Sequence, residues 1–374
     1  MIRVTRSLAT IMIGVGALTP MLNAATPNTQ TVYVMTNAAD KNEVIAYEQS
    51  RDGQFYETNR FDTGGRGSGG ITDPLEAQGS LTLSPDHSLL FAVNAGSGSI
   101  SAFRVQRGSL FLADKAPSGG SQPVAVAQWQ NLVYVLNSGG AGSVVGFRFD
   151  NDGRLQQIKD STQFLTATVT GGASLTISPD GRFVVVTERL ANNIDTFAIK
   201  ADGTLDPIVV NPSPGPGAFS AKFAPDGKLI VSETGAAGAA NGSAISSYSV
   251  LSNGKIAAIT QSLPTFGAAN CWNAITPDGK YVYVSNAGSG NVSGFAIGQG
   301  GALSPIASTV VGTNPNGATN LDIAVSGDGK YLYTLDSAIG VISIFAINSN
   351  GTLTSLGEIE GLPKSAGFNG IAAL

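Results

Sequence analysis

Three short landmarks recur seven times along the chain, and this repetition constrains the fold more than any other feature. The first landmark is a polar residue that ends a short apolar strand, with the copies Asn37, Asn94, Asn137, Glu188, Glu233, Asn286 and Asp336. The second is an aromatic residue that follows, with the copies Tyr47, Phe103, Phe147, Phe197, Tyr248, Phe295 and Phe345. The third is a turn glycine five or six residues later, at Gly53, Gly108, Gly153, Gly203, Gly254, Gly301 and Gly351. The chain is therefore an array of one structural unit.

The residues around these landmarks predict four short antiparallel strands in each unit. Most units also carry an alternating strand and a tight turn ahead of the first landmark, as in residues 175–181 and 274–279. In such turns Pro fixes φ and Gly adopts a positive φ. No helical periodicity lies between the strands. Seven four-stranded units predict an all-β, seven-bladed β-propeller.

We expect one propeller domain over residues 25–374. Its blades are predicted near residues 31–60 together with 368–374, and near 79–117, 122–160, 173–210, 219–262, 270–309 and 320–360. The first unit lacks its innermost strand, whereas residues 368–374 align with residues 320–325 of the seventh unit. The last residues are therefore expected to complete the first blade and close the ring, which removes exposed sheet edges.

Residues 1–24 have the pattern of an export signal. Arg3 and Arg6 precede an apolar run over residues 8–18, and small residues follow at 23–25. That run is too short to cross a bilayer, which needs about 20 residues. We expect an exported protein, secreted or periplasmic, with no membrane span.

Charge and cysteine content exclude several classes of partner and fold. Without Arg3 and Arg6 the formal net charge falls from −5 to −7, which argues against nucleic-acid binding. A single cysteine, Cys271, excludes an intramolecular disulfide framework. We expect a monomer that is stabilised by packing alone.

The predicted topology separates two faces of the propeller. We letter the strands of a blade A to D from the central channel outwards. Because they are antiparallel, the B–C turns and the D–A connections share one face, here named the B–C face, and the A–B and C–D turns share the opposite A–B face. Irregular D–A connections such as residues 206–217 and 311–319 lie on the B–C face. Since function concentrates on longer loops, we expect the site there, at the mouth of the channel.

Three residues on the B–C face are candidates for catalysis. Glu188 and Glu233 replace the asparagine that four other units have at the end of strand B, and Arg189 follows Glu188 directly. Paired carboxyl groups hold a proton at raised pKa and serve as acid or base, while an arginine orients or polarises a carbonyl. The alternative is that each carboxylate only caps a turn, as the asparagines do.

The same ring supplies candidate substrate contacts, namely Asn94, Asn137, Asn286 and Asp336. Trp272 enters the sixth blade from this face and either stacks on a ring-shaped ligand or belongs to the core. The long B–C loop of the fifth unit, residues 234–244, is either a mobile flap or a tolerated insertion.

We expect no metal and no other cofactor. A ring of carboxylates and amides suits a hard cation such as Ca²⁺, but the sequence has no dense ligand motif. His87, the single histidine, lies in an A–B turn on the opposite face, which excludes Cys–His and Ser–His–Asp mechanisms that use it.

Units 81–102, 175–197, 274–295 and 323–345, the first three with Pro-Asp turns, resemble the seven-bladed lactonase family, which includes bacterial 6-phosphogluconolactonase and fungal carboxymuconate cyclase. In cyclase-type members a His, a Glu and Arg residues act around the channel mouth. Glu188, Glu233 and Arg189 match such positions, whereas segments 170–174 and 217–220 lack the histidine.

The resemblance implies an exported lactonase-like protein that hydrolyses or isomerises a small lactone, so that its partner is a small lactone or sugar-like ligand. The alternative is a non-catalytic propeller that binds a carbohydrate, a peptide or a cell-envelope partner through the same face.

Overall fold

A computed structural model describes residues 30–150 and 153–374, which form seven antiparallel sheets arranged as the blades of a propeller. The innermost strands contact one another around a closed ring that surrounds a central channel. The predicted all-β, seven-bladed architecture is therefore confirmed. The predicted export signal lies outside the described residues.

The strands of each blade follow chain order from the channel outwards, apart from the innermost strand of the first blade. Blades one to three contain β1 (Thr31–Met35), β2 (Glu43–Gln49), β3 (Phe55–Asp62), β4 (Leu81–Leu83), β5 (Leu89–Asn94), β6 (Ser99–Gln106), β7 (Ser109–Pro117), β8 (Pro123–Trp129), β9 (Leu132–Asn137), β10 (Ser143–Phe149), β11 (Leu155–Gln157) and β12 (Gln163–Phe164). Blades four and five contain β13 (Gly172–Ile177), β14 (Phe183–Glu188), β15 (Asn193–Ala198), β16 (Ala218–Phe223), β17 (Leu229–Glu233), β18 (Ala244–Val250) and β19 (Ile256–Pro264). Blades six and seven contain β20 (Asn270–Ile275), β21 (Tyr281–Asn286), β22 (Asn291–Ile297), β23 (Leu303–Thr313), β24 (Asn320–Val325), β25 (Tyr331–Asp336), β26 (Val341–Ile347) and β27 (Leu353–Ile359), and the last strand is β28 (Ile371–Ala373). Short 3-10 turns occur at Ala95–Ser97 and Gln299–Gly301.

The last strand completes the first blade. β28 pairs antiparallel with β1, with Val34 opposite Ile371 and Val32 opposite Ala373. Beyond the strand, the amide of Leu374 donates to the carbonyl of Thr31 over 2.9 Å. The predicted closure of the ring is confirmed.

The outer edge of the fourth blade is irregular. Three isolated bridges, including Thr196 to Val209 and Asn193 to Pro212, take the place of a fourth regular strand. Prolines interrupt this segment at positions 207, 212, 214 and 216. Because proline has no amide hydrogen, a continuous ladder cannot form there.

At least five of the seven turn glycines of the repeat accept a hydrogen bond from a side chain of the preceding blade. All seven have positive φ values between 79° and 89°, which glycine adopts at no steric cost. Tyr33 and Tyr283 in strands B donate their hydroxyl hydrogens to the carbonyls of Gly108 and Gly351 in the next blade, both over 2.8 Å. These bonds satisfy buried polar groups between sheets whose main contacts are apolar.

Candidate functional site

The connection between the first and second blades crosses the central channel. We name residues 66–80 of this connection the plug. The amide of Gln78 donates to the carbonyl of Ala173 in the fourth blade over 2.8 Å. Its side chain donates to the carbonyl of Asn273 over 2.9 Å and accepts from the hydroxyl of Ser220. The plug is thus fixed to the fourth, fifth and sixth blades at once.

Trp272 holds the plug from the sixth blade. Its ring is fully buried and packs edge-on against Phe219, with 5.2 Å between ring centroids. Its indole N–H donates to the carbonyl of Ala77 in the plug over 3.1 Å. This geometry corresponds to the core alternative for Trp272, and the predicted contact of this residue with a substrate remains a prediction.

A cavity of about 440 Å³ opens on the B–C face, on one side of the plug. Its wall includes Asp73 and Glu76 from the plug, Arg189 from the fourth blade and Cys271 from the sixth. The remaining wall is mostly small and apolar, and much of it comes from residues 234–240. The cavity therefore combines a few charged groups with an apolar lining, as small-molecule sites do.

Asp73 is the titratable group of this cavity that is best suited to proton transfer. Its Oδ1 accepts hydrogen bonds from the amide of Glu76 over 3.0 Å and from the side chain of Asn369 over 2.9 Å. Burial, followed by the negative charge of Glu76, raises the pKa of Asp73 to about 7. Both hydrogen bonds use Oδ1, so Oδ2 is the oxygen available to a ligand.

Arg189 lies beside Asp73 and is held by Glu76. One guanidinium nitrogen, Nη2, forms an ion pair with Oε2 of Glu76. The Nε atom is buried and has no hydrogen-bond partner among the residues that the structure describes. The arginine side chain is 26% exposed, which leaves part of its positive charge open to the cavity.

Cys271 lines the cavity as a buried free thiol. Burial, with a further contribution from the negative charge of Asp73, raises the pKa of the thiol. A buried, protonated thiol is a poor nucleophile, so we assign Cys271 no covalent role.

Glu188 is fully buried and does not line the cavity. It accepts hydrogen bonds from the amide of Thr166, over 2.8 Å, and from the Thr166 hydroxyl. Asp195, on the adjacent strand C, is also fully buried. Burial, then the charge of Glu188 and a hydrogen bond shared with it, raises the pKa of Asp195 to about 8. At neutral pH the carboxyl group of Asp195 therefore retains its proton beside Glu188.

Glu233 is likewise fully buried outside the cavity. Its Oε1 accepts a hydrogen bond from the Ser246 hydroxyl over 2.6 Å. Burial raises the pKa of this carboxyl, and the serine hydrogen bond opposes the shift. Of the three residues predicted as catalytic, Arg189 reaches the cavity, whereas Glu188 and Glu233 lie within their blades. Their acid–base role remains a prediction.

The four predicted substrate contacts at the ends of strand B are fully buried as well, at Asn94, Asn137, Asn286 and Asp336. Asn94 and Asn286 donate to the hydroxyls of Ser101 and Ser293 over 2.8 and 2.9 Å. Ser343 donates to Asp336 over 2.5 Å, and Asn137 donates to the carbonyl of Ser118 over 3.3 Å. These bonds give the residues a structural role inside the blades, and their contact with a substrate remains a prediction.

Sequence reasoning missed Asp73 and Glu76 because the plug belongs to no repeat. One indication was present: residues 61–78 lie between two predicted blades and match none of the three landmarks. A long non-repeating insertion on the loop-rich face was a reason to search that segment for site residues.

Within residues 30–150 and 153–374, no group of three or more His, Cys, Asp and Glu residues is arranged to hold a metal ion. Neither 3-10 turn in these residues, nor any other helical segment there, has the length and apolar character needed to span a bilayer. His87 lines a second cavity that opens on the A–B face.

Comparison with known proteins identifies a matching family and several solved structures with a similar fold. The family described as "Lactonase, 7-bladed beta-propeller" matches residues 72–165 and 128–271, together more than half of the chain. No curated protein matches at a significant level.

Among solved structures, a candidate 6-phosphogluconolactonase from Bacteroides uniformis is 20% identical, with 92% of this chain and 99% of that chain covered and a TM-score of 0.69. The periplasmic gluconolactonase of Pseudomonas aeruginosa is 17% identical, with 92% and 98% covered and a TM-score of 0.68. A functionally unknown protein from Desulfotomaculum acetoxidans is 16% identical, with the same coverage and a TM-score of 0.70. At these identities the likeness shows a common fold.

Proposed function

Since the chain belongs to the seven-bladed β-propeller lactonase family, we propose that it is an exported lactonase that hydrolyses a small lactone in the cavity on the B–C face. The observation that carries this proposal is the carboxyl group of Asp73, whose pKa is raised to about 7 beside the partly open guanidinium of Arg189. A base with a pKa near the working pH and a cation for the developing oxyanion are what ester hydrolysis needs.

In this proposal Asp73 acts first as a general base. Its Oδ2 takes a proton from a water molecule while the water oxygen bonds to the lactone carbonyl carbon. The ring C–O bond then breaks, and the departing alkoxide takes the proton from Asp73. The product is an open-chain hydroxy acid, and Asp73 returns to its ionised form.

Arg189 supports the negatively charged intermediate. Its ion pair with Glu76 fixes the guanidinium at the cavity wall, and its buried Nε–H has no competing acceptor among the described residues. A preorganised cation is most effective where negative charge develops during the reaction. Glu76 is thus a positioning residue for Arg189.

The cavity favours an uncharged lactone. Its charged residues are two acids and one arginine, so a phosphorylated substrate meets net repulsion. Residues 234–240 bring glycine and alanine to the wall, which suits a loop that covers a bound sugar ring. Export to the periplasm or beyond agrees with the N-terminal signal pattern and with the periplasmic gluconolactonase that shares the fold.

The test is hydrolysis of a panel of uncharged and phosphorylated lactones, corrected for spontaneous ring opening. Asp73→Asn is expected to lower kcat by about 100-fold or more, because the amide cannot accept the proton. The parent kcat/KM is expected to rise with pH and to level off above about 7, where Asp73 is ionised. Asp40→Asn, an exposed carboxyl in a B–C turn, is the matched control.

Three outcomes overturn this assignment. If turnover is unchanged in Asp73→Asn, Asp73 is not the general base. If turnover is lost only in Glu188→Gln or Glu233→Gln, the base is one of the carboxylates predicted from sequence. Ligand binding with no turnover of any lactone favours a non-catalytic propeller.

A further inference from the structure

The cavity on the A–B face is separated by the plug from the proposed lactonase site in the cavity on the B–C face. It also measures about 440 Å³, and its wall includes Thr82, Thr176, Lys222, Asn273 and Asp322, each on or beside a strand A. Gln78 of the plug lines this second cavity, whereas Asp73 and Glu76 line the first. The two cavities therefore open to opposite faces and share no wall residue.

Lys222 is the cation of the second cavity. Its side chain is half-buried on β16. Within residues 30–150 and 153–374, no acceptor forms a hydrogen bond or a close ion pair with its ammonium group. Burial lowers the pKa of Lys222, and the negative charge of Asp322 opposes the shift without contact. Desolvated ammonium groups normally have an anionic or polar partner.

Asp322 does not provide that partner, because it forms no ion pair with Lys222 and its oxygens are held by other donors. They accept from the amides of Ile323 and Ile371 over 2.8 and 3.2 Å, and from the side chain of Gln78 over 3.2 Å. A position for an anion thus remains at Lys222.

Asn273 adds an unsatisfied acceptor to the same wall. Its Nδ2 donates to the hydroxyl of Ser232 over 3.1 Å, but its Oδ1 is buried and has no donor among the described residues. A buried acceptor without a donor is unfavourable, and a ligand hydroxyl that reaches it removes this cost.

Beyond Lys222 the cavity continues into a groove on the same face. The cavity and the groove are both lined by Thr176, Lys222 and Phe223, and the groove is also lined by Trp129. Aromatic rings beside hydrogen-bonding groups suit the apolar face of a sugar ring.

We propose that the A–B face carries a second ligand site, which binds a sugar acid of the uronate type. The carboxylate of the ligand pairs with Lys222, a ring hydroxyl donates to Oδ1 of Asn273, and the ring packs in the groove beside Phe223 and Trp129. A monoanion fits better than a phosphate dianion, because the site has one cation and the carboxyl of Asp322 lies in the same wall.

The first experiment locates the ligand by protection of the lysine. The parent protein is treated with an amine-acylating reagent at pH 7, with glucuronate, with glucose or with neither, and the modified lysines are quantified by peptide mass spectrometry. Glucuronate is expected to reduce acylation of Lys222 at least five-fold, whereas glucose leaves it unchanged. Lys280, an exposed lysine on the same face, is the internal control.

The second experiment measures affinity by titration calorimetry. Lys222→Met is expected to weaken glucuronate binding at least ten-fold, and Lys280→Met to leave it unchanged. Asp73→Asn is expected to retain glucuronate binding, because Asp73 lies on the other side of the plug. This result separates the second site from the proposed lactonase site.

Equal acylation of Lys222 with and without saturating glucuronate overturns the proposal, as does equal protection by glucose. Loss of binding in Asp73→Asn together with unchanged binding in Lys222→Met assigns the ligand to the first cavity and also overturns it.

Discussion

At the scale of single residues, Glu188 and Asp195 bring two buried carboxyl groups together inside the fourth blade. Four other blades place a serine hydroxyl of strand C against the polar end of strand B, as Ser101 does with Asn94 and Ser246 with Glu233. The fourth blade places a second carboxyl there, fully buried. Two buried carboxyl groups in contact repel each other when both are ionised, so one of them retains its proton.

This pair makes stability depend on pH. The pKa of Asp195 rises from its ordinary value of 3.8 to about 8 in the folded protein. The native state therefore holds a proton that the unfolded chain loses above about pH 4, and its stabilising effect declines as pH rises towards 8. Asp195→Asn cannot ionise, and its amide donates to Glu188.

We expect Asp195→Asn to match the parent protein near pH 4 and to exceed its free energy of unfolding by about 1–3 kcal/mol at pH 8. Urea unfolding at both pH values measures this difference, with the exposed Asp40→Asn as a control. A difference that is the same at both pH values contradicts the raised pKa of Asp195.

Individual residues also show how much of the candidate site could be predicted from sequence. The polar residues at the ends of strand B could be identified from sequence because they recur. The alternation of polar and apolar residues along a strand predicts which face of the sheet a side chain lies on, but not how deeply it is buried. Their burial depends on the incoming connection that covers them. Asp73 was not visible because it lies in the plug, whose position depends on contacts with distant blades, such as those of Gln78 with Asn273 and Asp322.

At the scale of elements, the D–A connections are fixed by a small repeated network. In the sixth blade Asn286 donates to Ser293, and Ser293 donates to the carbonyl of Thr265 over 2.7 Å. Gly267, two residues after Thr265, lies against the asparagine. The second blade repeats this arrangement with Asn94, Ser101, Thr63 and Gly65. The recurring Ser/Thr-x-Gly sequence therefore has a packing cause.

Gly267→Ala tests this network. A Cβ at Gly267 would lie 2.2 Å from Cγ of the buried Asn286. We expect the substitution to lower the free energy of unfolding by about 1–3 kcal/mol, because neither backbone nor amide has room to move. Thermal or urea unfolding measures the loss.

Gly298→Ala is the matched control, since its Cβ would meet its nearest neighbour, the carbonyl oxygen of Ala302, at 3.4 Å. Adding Asn286→Ala to Gly267→Ala is expected to recover part of the loss through non-additivity. Equal effects of Gly267→Ala and Gly298→Ala would refute the packing cause.

At the scale of the whole molecule, ring closure depends on one three-residue strand. The pairing of β28 with β1 joins residues that are more than 300 positions apart in sequence. Without β28, β1 exposes unpaired backbone groups along one edge. This closure was predictable from sequence because the final residues still match a strand A, as they do in the seventh unit.

A chain that lacks residues 368–374 is expected to aggregate or to melt at least 10 °C below the parent protein, because the open edge pairs between molecules. Differential scanning calorimetry and size-exclusion chromatography measure these effects. Lys364→Ala, an exposed position just before the segment, serves as the control. If the truncated chain melts at the same temperature as the parent protein, closure of the ring by β28 does not contribute to stability.

The plug has a consequence for the order in which the molecule folds. Residues 66–80 leave the ribosome early, yet Gln78 bonds to groups of the fourth to seventh blades, which are synthesised up to about 240 residues later. Contacts of such long sequence separation form slowly, since the loop-closure entropy is lost before any bond compensates for it. The plug therefore settles after most of the blades have formed, and the two cavities become separate compartments only in that late step.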